Sequence, residues 1–364
     1  MPSLTVMENV AAALGRLGAI ADSGPVAALA VAFAAAGREL ALVGGPVRDA
    51  FLGRPVHDLD FTTNARPDEI LALVGPLSDT TWDVGREFGT IAARLNGTTV
   101  EITTYRSDAY DGTSRKPAVL FGDSLEGDLS RRDFTVNAMA LRLPERRLVG
   151  PWGGGEDLLA RGIRTPRAPP LSVGDDPVRM MRAARFASQL GFSVEAETAT
   201  ALREYAPRLE IVSVERIADE LGKLLLTADP IPGLRLLVES GIADEVLPEL
   251  PALRLERDEH AHHKDVYEHT LTALSQAIDL ERSRGHEPSL VLRLAALLHD
   301  IGKPSTRRIE AGGVVTFHHH DVVGAKLAAK RLKALRMSNE VVSQVSRLVE
   351  LHLRFFGYSE GAWT

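Results

Sequence analysis

Cysteine is absent from the 364 residues of this chain, and nothing near its N-terminus combines a basic flank with an apolar block as a signal peptide does. A protein without cysteine has neither a disulfide framework nor a thiolate metal site, and a reducing intracellular compartment is its natural home. The apolar, alanine-rich segment Pro25 to Gly37 is too short to span a membrane and predicts a buried helix. These absences predict a cytoplasmic protein.

An internal repeat of fixed period is also absent. The composition, 45% hydrophobic and 25% charged, is that of an ordinary globular protein, and a chain of this length can bury two or three separate cores. The Gly/Pro-rich segment 150–170, which predicts turns and not a core element, and the paired prolines near residue 250 mark two boundaries. We therefore expect N-terminal helices over 1–38, a domain of alternating strands and helices over 39–150, a helical domain over 151–250 and a second helical domain over 251–364.

An overall excess of positive charge is missing too, since the formal net charge is −7. Taken alone, that total argues mildly against a nucleic-acid partner, but the distribution of charge matters more. Residues 161–185 contain six arginines and two acids, and residues 322–354 contain seven basic and two acidic residues. A solvated helix face is the simplest interpretation of the second segment. In the first, three arginines at intervals of three form one helical stripe suited to a triphosphate or an RNA backbone: Arg179, Arg182 and Arg185.

The most informative segment runs from Leu42 to Thr63, LVGGPVRDAFLGRPVHDLDFTT, because it joins a glycine turn to two closely spaced carboxylates. Side chains alternate along a strand, so Asp58 and Asp60 are expected on one face of a second strand. Two acids placed that way suit two Mg²⁺ ions about 3.5 to 4 Å apart, which clamp the attacking and leaving oxygens of a phosphoryl displacement. Backbone N–H groups at Gly44 and Gly45 can approach a triphosphate because no Cβ intervenes.

Each piece of this segment also has a plainer interpretation. A Gly-Gly pair is usually only a turn, and an Asp-x-Asp pair is more often a solvated strand edge than a metal site. A third acid, Glu101, lies in the alternating segment TTVEITTYRSD, which predicts a strand with Val100 and Ile102 in the core. A single glutamate on a strand normally just faces solvent.

The whole string is more specific, and it closely resembles the signature of the nucleotidyltransferase superfamily. The form is that of bacterial tRNA nucleotidyltransferases, the CCA-adding enzymes, and their poly(A) polymerase relatives: GG-x-V-R-D, then L-G-R, then D-x-D. In that family an acid stands at the place of Glu101, shortly before an arginine matched by Arg106, and a flexible loop follows, here Asp108 to Leu125. The resemblance implies Mg²⁺ at Asp58 and Asp60, catalysis by these acids with Glu101, and nucleotide contacts from Gly44, Gly45 and Arg48.

The segment Asp128 to Ala140, DLSRRDFTVNAMA, predicts a helix with acids in its first turn. An ion-paired surface helix would explain its charges, but the segment resembles the second motif of the family. The resemblance implies that five of its residues contact the ribose and triphosphate and steady the metal site: Asp128, Arg131, Arg132, Asp133 and Asn137.

Two further segments, 176–192 and 212–225, resemble the third and fourth motifs of the family. The third implies nucleotide contacts from Asp176 and from the arginine stripe. In the fourth, members of the family use an acid and an arginine as a protein template for the incoming base. Arginine can donate to cytosine O2 and N3 while a carboxylate accepts from the exocyclic amine. Glu215 and Arg216 match this pair, with Asp219 and Glu220 as alternatives.

All but one of the 11 histidines lie at or after residue 260. Isolated histidines are usually satisfied core or surface residues, but a His-Asp doublet surrounded by further histidines resembles the HD phosphohydrolase domain, whose His/Asp clusters bind divalent metal. The resemblance implies a second metal site of His269, His299, Asp300 and His320, with His352 as a further candidate. That family usually adds an aspartate on a later helix, and none precedes Thr364, so we expect a truncated domain.

Taken together, these patterns predict an α+β protein with a small mixed-sheet head, an all-helical neck or body, and a helical HD domain. Three functions remain open. The first is addition of CCA to tRNA from CTP and ATP with release of pyrophosphate. The second is poly(A) synthesis, or addition of only CC or only A. The third is an HD-type metal-dependent phosphohydrolase. The expected partners are tRNA, CTP and ATP, with neither a membrane nor DNA.

Overall fold

A computed structural model describes residues 4–56, 58–107, 120–254, 266–313 and 315–355. Its contacts divide the chain into two units, one of residues up to 175 with 193–198, the other of the remaining residues from 176 onward. The sheet lies in the first unit, and the second is almost entirely helical. This arrangement confirms the predicted α+β class, while the four domain boundaries drawn from the sequence remain predictions.

The first unit opens with two helices, α1 (Leu4–Ala21) and α2 (Gly24–Ala35). The predicted helix at α2 is present, and it buries one face through Val26, Leu29 and Phe33. No single helix in the described ranges is long and apolar enough to cross a membrane. The bent pair of Val10–Ala21 and Gly24–Ala35, whose axes differ by 76°, meets that test of length and composition only when the two are taken together.

The next nine strands in the described residues of this unit are β1 (Leu40–Val43), β2 (Leu59–Thr63), β3 (Thr80–Trp82), β4 (Thr90–Leu95), β5 (Thr98–Thr104), β6 (Arg106–Ser107), β7 (Leu120–Phe121), β8 (Ala140–Leu143) and β9 (Arg147–Val149). Seven of them form one sheet in the order β3-β4-β5-β2-β1-β8-β9, and β6 pairs with β7. Within the large sheet, β2 and β5 run parallel and the other neighbours antiparallel. The predicted alternation along β5 is confirmed, since Val100 and Ile102 are buried and Glu101 is exposed.

Five further helices lie among the residues of the first unit that the structure describes: α3 (Gly45–Leu52), α4 (Pro67–Val74), α5 (Leu125–Ser130), α6 (Gly154–Ala160) and α7 (Pro169–Asp175). A short parallel pair, β10 (Gly162–Ile163) and β11 (Ser193–Val194), belongs to the same unit.

Two local predictions in this unit are wrong. The helix expected from Asp128 to Ala140 ends at Ser130, and the chain then passes through a 3-10 turn at Thr135–Asn137 into β8. The physical reason is tertiary, because the Thr135 N–H donates to the carbonyl of Arg164 at 2.8 Å. The segment 150–170, expected to hold only turns, contains α6, whose Gly154 packs so closely on the Thr135 carbonyl that an added Cβ would lie 2.3 Å from it.

The second unit consists of ten helices and one short hairpin among the described residues. The helices are α8 (Val178–Phe186), α9 (Ala196–Tyr205), α10 (Val214–Leu225), α11 (Ile231–Glu239), α12 (Ile242–Val246), α13 (Val266–Ser283), α14 (Leu290–Leu298), α15 (Lys303–Thr306), α16 (His320–Ala334) and α17 (Asn339–Leu351). The hairpin pairs β12 (Arg308–Ile309) with β13 (Val315–Thr316) and lies between α15 and α16.

A buried ion pair joins three helices of this unit. Arg293 of α14 donates through Nε to Glu281 of α13 at 2.8 Å, and both side chains are almost fully buried. The same guanidinium donates through Nη1 to the carbonyls of Leu225 and Thr227, at the end of α10, at 2.7 and 2.6 Å. Because these carbonyls lack intrahelical partners, the arginine acts as a cap for α10 from another helix.

Candidate functional site

The glycine turn connects β1 to α3 as the sequence predicts. Gly44 has φ +76°, in the left-handed region, and a Cβ there would lie 3.0 Å from Arg132 Nη1. Both constraints favour glycine. The Gly44 N–H already donates to the Met139 carbonyl at 3.1 Å. Of the two amides predicted to face a triphosphate, only that of Gly45, at the start of α3, has no acceptor among the described residues.

Three carboxylates lie near one another at the start of β2. Asp58 is exposed and immediately precedes the strand, and Asp60 is half-buried on it, with buried Leu59 between them. The parallel pairing of β2 with β5 sets Asp60 directly opposite Glu101. Burial and then the charge of Glu101 raise the pKa of Asp60, Asp58 adds to the shift, and Arg132 opposes it. Carboxylate oxygens are the ligands that hard divalent cations prefer, so these residues have the donor chemistry of a metal site, although among the described residues their oxygens do not converge tightly on one point.

Arginines lie beside these acids and are organised by Asp128. The Asp128 carboxylate accepts from Thr62 Oγ1 at 3.1 Å, from the Arg106 backbone N–H at 3.1 Å and from Arg132 Nη2 at 3.4 Å. Burial, followed by the charges of Arg131 and Arg132, lowers the pKa of Arg106. The buried Nε atoms of Arg106 and Arg132 find no acceptor among the described residues. This group of cations with spare donors fits an anion such as a triphosphate.

Two residues predicted to contact the nucleotide are instead buried in a network of their own. Arg48 Nη1 donates to Asn137 Oδ1 at 2.7 Å, and Asn137 Nδ2 donates to Asp133 Oδ1 at 2.9 Å. The other arms of Arg48 donate to Asp49 at 2.9 Å. Arg48 and Asn137 are each 6% exposed. The network therefore ties the start of α3 to the turn after α5, and sequence spacing alone did not reveal this bracing role.

The three arginines of the predicted stripe lie on α8, but they differ in how far other residues of the protein engage or bury them. Arg185 Nε donates to Glu220 of α10 at 2.6 Å, and Arg182 Nε lies 3.9 Å from the other oxygen of the same carboxylate. Arg185 also lies over the Phe186 ring at 4.2 Å. Arg179 is buried. The stripe thus holds α8 against α10, and Glu220, an alternative template acid, is engaged in that contact.

The predicted template residues are not brought together. Glu215 forms an ion pair with Arg336, whereas Arg216 Nη2 donates to Asp176 Oδ2 at 3.0 Å. Consecutive positions on a helix do not face each other, so the two side chains of α10 diverge. Asp219, the remaining alternative, pairs with Lys223 at 2.6 Å. The pairing of Arg216 with Asp176, 40 positions away, had no local signal in the sequence.

The histidine cluster converges on one buried aspartate. Asp300 Oδ2 lies 3.1 Å from His299 Nε2 and 3.7 Å from His269 Nε2, and Oδ1 lies 3.3 Å from His320 Nε2 and 3.8 Å from His352 Nε2. All four predicted residues meet, together with the further candidate His352. These ligand atoms lie close enough to hold a metal ion in two overlapping groups, one with His269 and His299 and one with His320 and His352.

Electrostatics in this cluster favour an ionised aspartate. Burial would raise the pKa of Asp300, but hydrogen bonds from His299, His320 and Lys303 and the charge of His299 hold it well below its usual range. Burial lowers the pKa of His352. Burial also acts to lower the pKa of His320, but the hydrogen bond and charge of Asp300 and the hydrogen bond to the Phe317 carbonyl together raise it. Lys303 Nζ donates to Asp300 Oδ2 at 2.7 Å and was missed in the sequence, although it follows the doublet at helical spacing. Residues 255–265, which contain three histidines and several acids, and residues 356–364 lie outside the described residues, as do 108–119 of the predicted loop.

One cavity of the first unit has a volume of about 660 Å³ and is lined by Arg38, Asn64, Arg66 and Glu69 among others. These residues flank the start of β1 and the end of β2, whereas the carboxylates stand at the opposite end of β2. This cavity therefore lies apart from the carboxylates of the head.

Comparison with known proteins assigns three family domains along the chain. The poly(A) polymerase head domain matches residues 40–164, the domain described as "Probable RNA and SrmB-binding site of polymerase A" matches 191–253, and the HD domain matches 266–361. The first and third are metal-dependent families. The carboxylates and the arginine group lie within the first match, and the Asp300 cluster lies within the third.

Individual relatives agree with these domains. An A-adding tRNA nucleotidyltransferase of Deinococcus radiodurans is 37% identical over 86% of this chain and 68% of its own length. A CCA-adding enzyme of Geobacillus thermodenitrificans is 43% identical over 57% of this chain and 50% of its own length, so the chain spans about half of that relative. The Bacillus stearothermophilus CCA-adding enzyme, solved in complex with CTP, matches 92% of this chain and 71% of its own with a TM-score of 0.63 and 28% identity. The chain therefore belongs to the family of tRNA nucleotidyltransferases that carry the poly(A) polymerase head.

Proposed function

We propose that the chain adds CCA to the 3′ end of tRNA from CTP and ATP, without a nucleic-acid template and with release of pyrophosphate. The observation that carries the proposal is the register of the head, in which Asp60 stands opposite Glu101 on parallel strands and directly follows Asp58 and Leu59. The family's known relatives that add A or CCA to tRNA support the substrate. The cysteine-free composition supports a cytoplasmic location.

In this proposal Asp58 and Asp60 hold two Mg²⁺ ions, with Glu101 as the third acid. When bound, such ions lower the pKa of the tRNA 3′-hydroxyl and neutralise charge on the triphosphate, so that the hydroxyl can attack the α-phosphorus. The acids of the chain supply oxygen ligands on one face of β2 and β5. No protein nucleophile is required.

The arginine group binds the triphosphate. Arg106, Arg131 and Arg132 repel one another, and the lowered pKa of Arg106 reflects that repulsion together with burial. An incoming triphosphate relieves it and offers acceptors to the buried Nε donors. Asp128 positions this group by accepting from Arg132, and Arg48 and Asn137, with Asp133 as acceptor for Asn137, brace the turn that carries the Gly45 amide.

Base selection is assigned to the helical unit. Glu215 and Arg216 remain the predicted template pair, and Asp176 joins them because Arg216 donates to it. A guanidinium beside a carboxylate presents donors and an acceptor along one edge, which matches cytosine and, after a shift, adenine. Guanine and uracil would leave a desolvated group unpaired, at a cost of about 1 to 3 kcal/mol each. The arginines of the α8 stripe contribute positive charge behind this surface.

The deciding experiment offers the protein three tRNA substrates, ending at the discriminator base, at the first C and at the second C, with each labelled nucleotide alone and with CTP and ATP together. A CCA-adding enzyme incorporates C into the first two and A into the third. Incorporation of A only into tRNA ending in CC would identify an A-adding enzyme, an alternative favoured by the 37% identity to such a protein. A long A ladder would identify a poly(A) polymerase. If none of the three tRNA substrates were extended by any nucleotide, the proposal would be contradicted.

We also propose a second activity, in the HD domain, and the observation that supports it is the Asp300 cluster. Three or more imidazole and carboxylate ligands around one point fit a divalent transition metal, which supplies an activated water for phosphoester hydrolysis when bound. His269, His299, Asp300 and His320 are the ligands of this proposal, and His352 adds a fifth. Incubation with Mn²⁺, Co²⁺, Ni²⁺ or Zn²⁺ and a chromogenic phosphodiester tests it, and absence of hydrolysis with every metal would remove it.

A further inference from the structure

Helix α16 carries an exposed row of three lysines that the proposed activities do not use. Lys326, Lys330 and Lys333 are all exposed and follow one another at intervals of four and three. That spacing sets their side chains along one stripe of the helix, over about 10 Å of its axis. We call these three residues the lysine ridge.

The ridge has no acidic counterpart in the described part of the chain. No hydrogen bond or ion pair is formed by Lys326, Lys330 or Lys333 with any described residue. Positions three and four residues away from each of them on α16 hold alanine, valine, leucine, methionine or another cation. A solvated helix face in an acidic protein normally mixes both signs, and the ridge does not.

The arginines nearby behave differently. Arg331 on the same helix donates to Glu249 at 2.9 Å, Arg336 pairs with Glu215, and Arg347 on α17 donates to Glu350 at 2.8 Å. The structural ion pairs of this region are therefore made by arginines. Among the basic residues of α16 and α17, the three lysines are the ones without an acidic partner in the described part of the chain, although like charges at these spacings are unfavourable for the helix.

The shape of the ridge restricts the partner. Three ammonium groups in a line on a convex helix enclose no pocket, so a small anion would gain little from all three. An extended polyanion with charges at regular spacing can contact each of them and release counterions. A lysine near the carboxyl end of a helix is stabilised by the helix dipole, so Lys333 can be explained without an external partner. The same explanation does not apply to Lys326.

We propose that the lysine ridge binds the phosphate backbone of RNA, and specifically of the tRNA substrate at a distance from its reacting end. The inference rests on the proposed function for the identity of the RNA. Its contacts are with phosphates and carry no sequence information, so the ridge contributes affinity and register and not base selection.

The test uses the variant K326Q/K330Q/K333Q in the full chain. The dissociation constant of fluorescently labelled tRNA lacking its last three nucleotides is measured without nucleotides at salt concentrations from 50 to 200 mM. Loss of three phosphate contacts should make the slope of log affinity against log salt less steep by about 2 to 3. In turnover, KM for tRNA should rise while kcat and the KM for CTP stay unchanged.

A matched control removes the same charge from exposed arginines that already have acid partners: R235Q/R282Q/R347Q. Equal slopes for both triple variants would mean that only the net charge of the protein affects tRNA binding, and would overturn the proposal that the lysine ridge binds tRNA. An unchanged slope in the lysine variant would also overturn it, as would binding to anionic phospholipid vesicles in place of tRNA. Because binding is measured without nucleotides, a wild-type protein that binds tRNA through the ridge but extends no substrate would contradict the proposed function alone.

Discussion

Residues of like charge lie close together in the head. Asp60 stands opposite Glu101 with Asp58 nearby, and Arg106, Arg131 and Arg132 form a group of the opposite sign. Such groupings cost folding free energy until a ligand neutralises them, and for that reason perturbed pKa values concentrate at functional sites. Arg48 and Asn137 show the contrary pattern, since each finds its partners within the protein.

Asp58→Asn and Asp60→Asn should each reduce nucleotide addition to below about one-hundredth of the wild-type rate, because a metal ligand is lost while side-chain shape is kept. The thermal unfolding midpoint should not fall, since one of three neighbouring negative charges is removed. Asp68→Asn, an exposed acid of the same unit that pairs with Arg86, is the matched control and should retain activity. Substantial turnover by either variant in Mg²⁺ would refute the assignment of these acids.

Base selection can be tested at three positions of the second unit. Arg216→Ala and Asp176→Asn should relax discrimination against UTP and GTP by about ten-fold or more, because each removes one member of the pair joined at 3.0 Å. Glu215→Gln removes the acid of the predicted template pair, which forms an ion pair with Arg336, and should relax selectivity to a similar extent. Competition assays with mixed nucleotides measure these ratios. If Glu215→Gln left selectivity unchanged while Asp176→Asn relaxed it, Asp176 and not Glu215 would be the template acid.

At the scale of elements, patterns of short range could be predicted and contacts of long range could not. Alternation in TTVEITT predicts the face of β5 that carries Glu101, and the glycine turn before α3 follows from two adjacent glycines. The end of α5 could not be predicted, because Thr135 is held by the carbonyl of Arg164, a contact set by the packing of α6 and β10. Such tertiary hydrogen bonds override a helical sequence pattern when the non-helical conformation still provides partners for the backbone N–H and C=O groups.

Helix association in the second unit offers a prediction about stability. Arg293→Met should lower the free energy of unfolding by about 3 to 5 kcal/mol, since it leaves the Glu281 carboxylate buried without its cation. The double variant E281M/R293M should recover part of that loss, because no charge remains buried, but not all of it, because the carbonyls of Leu225 and Thr227 lose their donor. Urea denaturation followed by circular dichroism measures both. Arg282→Met, in an exposed pair with Asp279, is the control and should change stability by less than about 0.5 kcal/mol.

For the whole molecule, the sequence predicted which residues form the two candidate sites but not how their side chains are paired. The His-Asp doublet predicts the Asp300 cluster, and His269, His320 and His352 do converge on it from separate elements. Spacing alone could not show that Glu220 is occupied by Arg182 and Arg185, or that Arg216 pairs with Asp176. These are choices among several acids within one helical turn, and only the fold decides between them.

The division of labour between the head and the HD domain leads to a final prediction. The variant H299A/D300A should lose metal-dependent phosphodiester hydrolysis, since it removes the buried carboxylate on which the histidines converge. Nucleotide addition should remain within about two-fold of the wild-type rate, because Asp58, Asp60 and Glu101 belong to the other compact unit. The matched control is H286A, which replaces an exposed histidine outside the cluster and should alter neither activity. Both activities are assayed on the same preparations, with circular dichroism to verify folding. Joint loss in a folded H299A/D300A variant would mean that the HD domain supports tRNA binding or the geometry of the head, and that the two sites do not work independently.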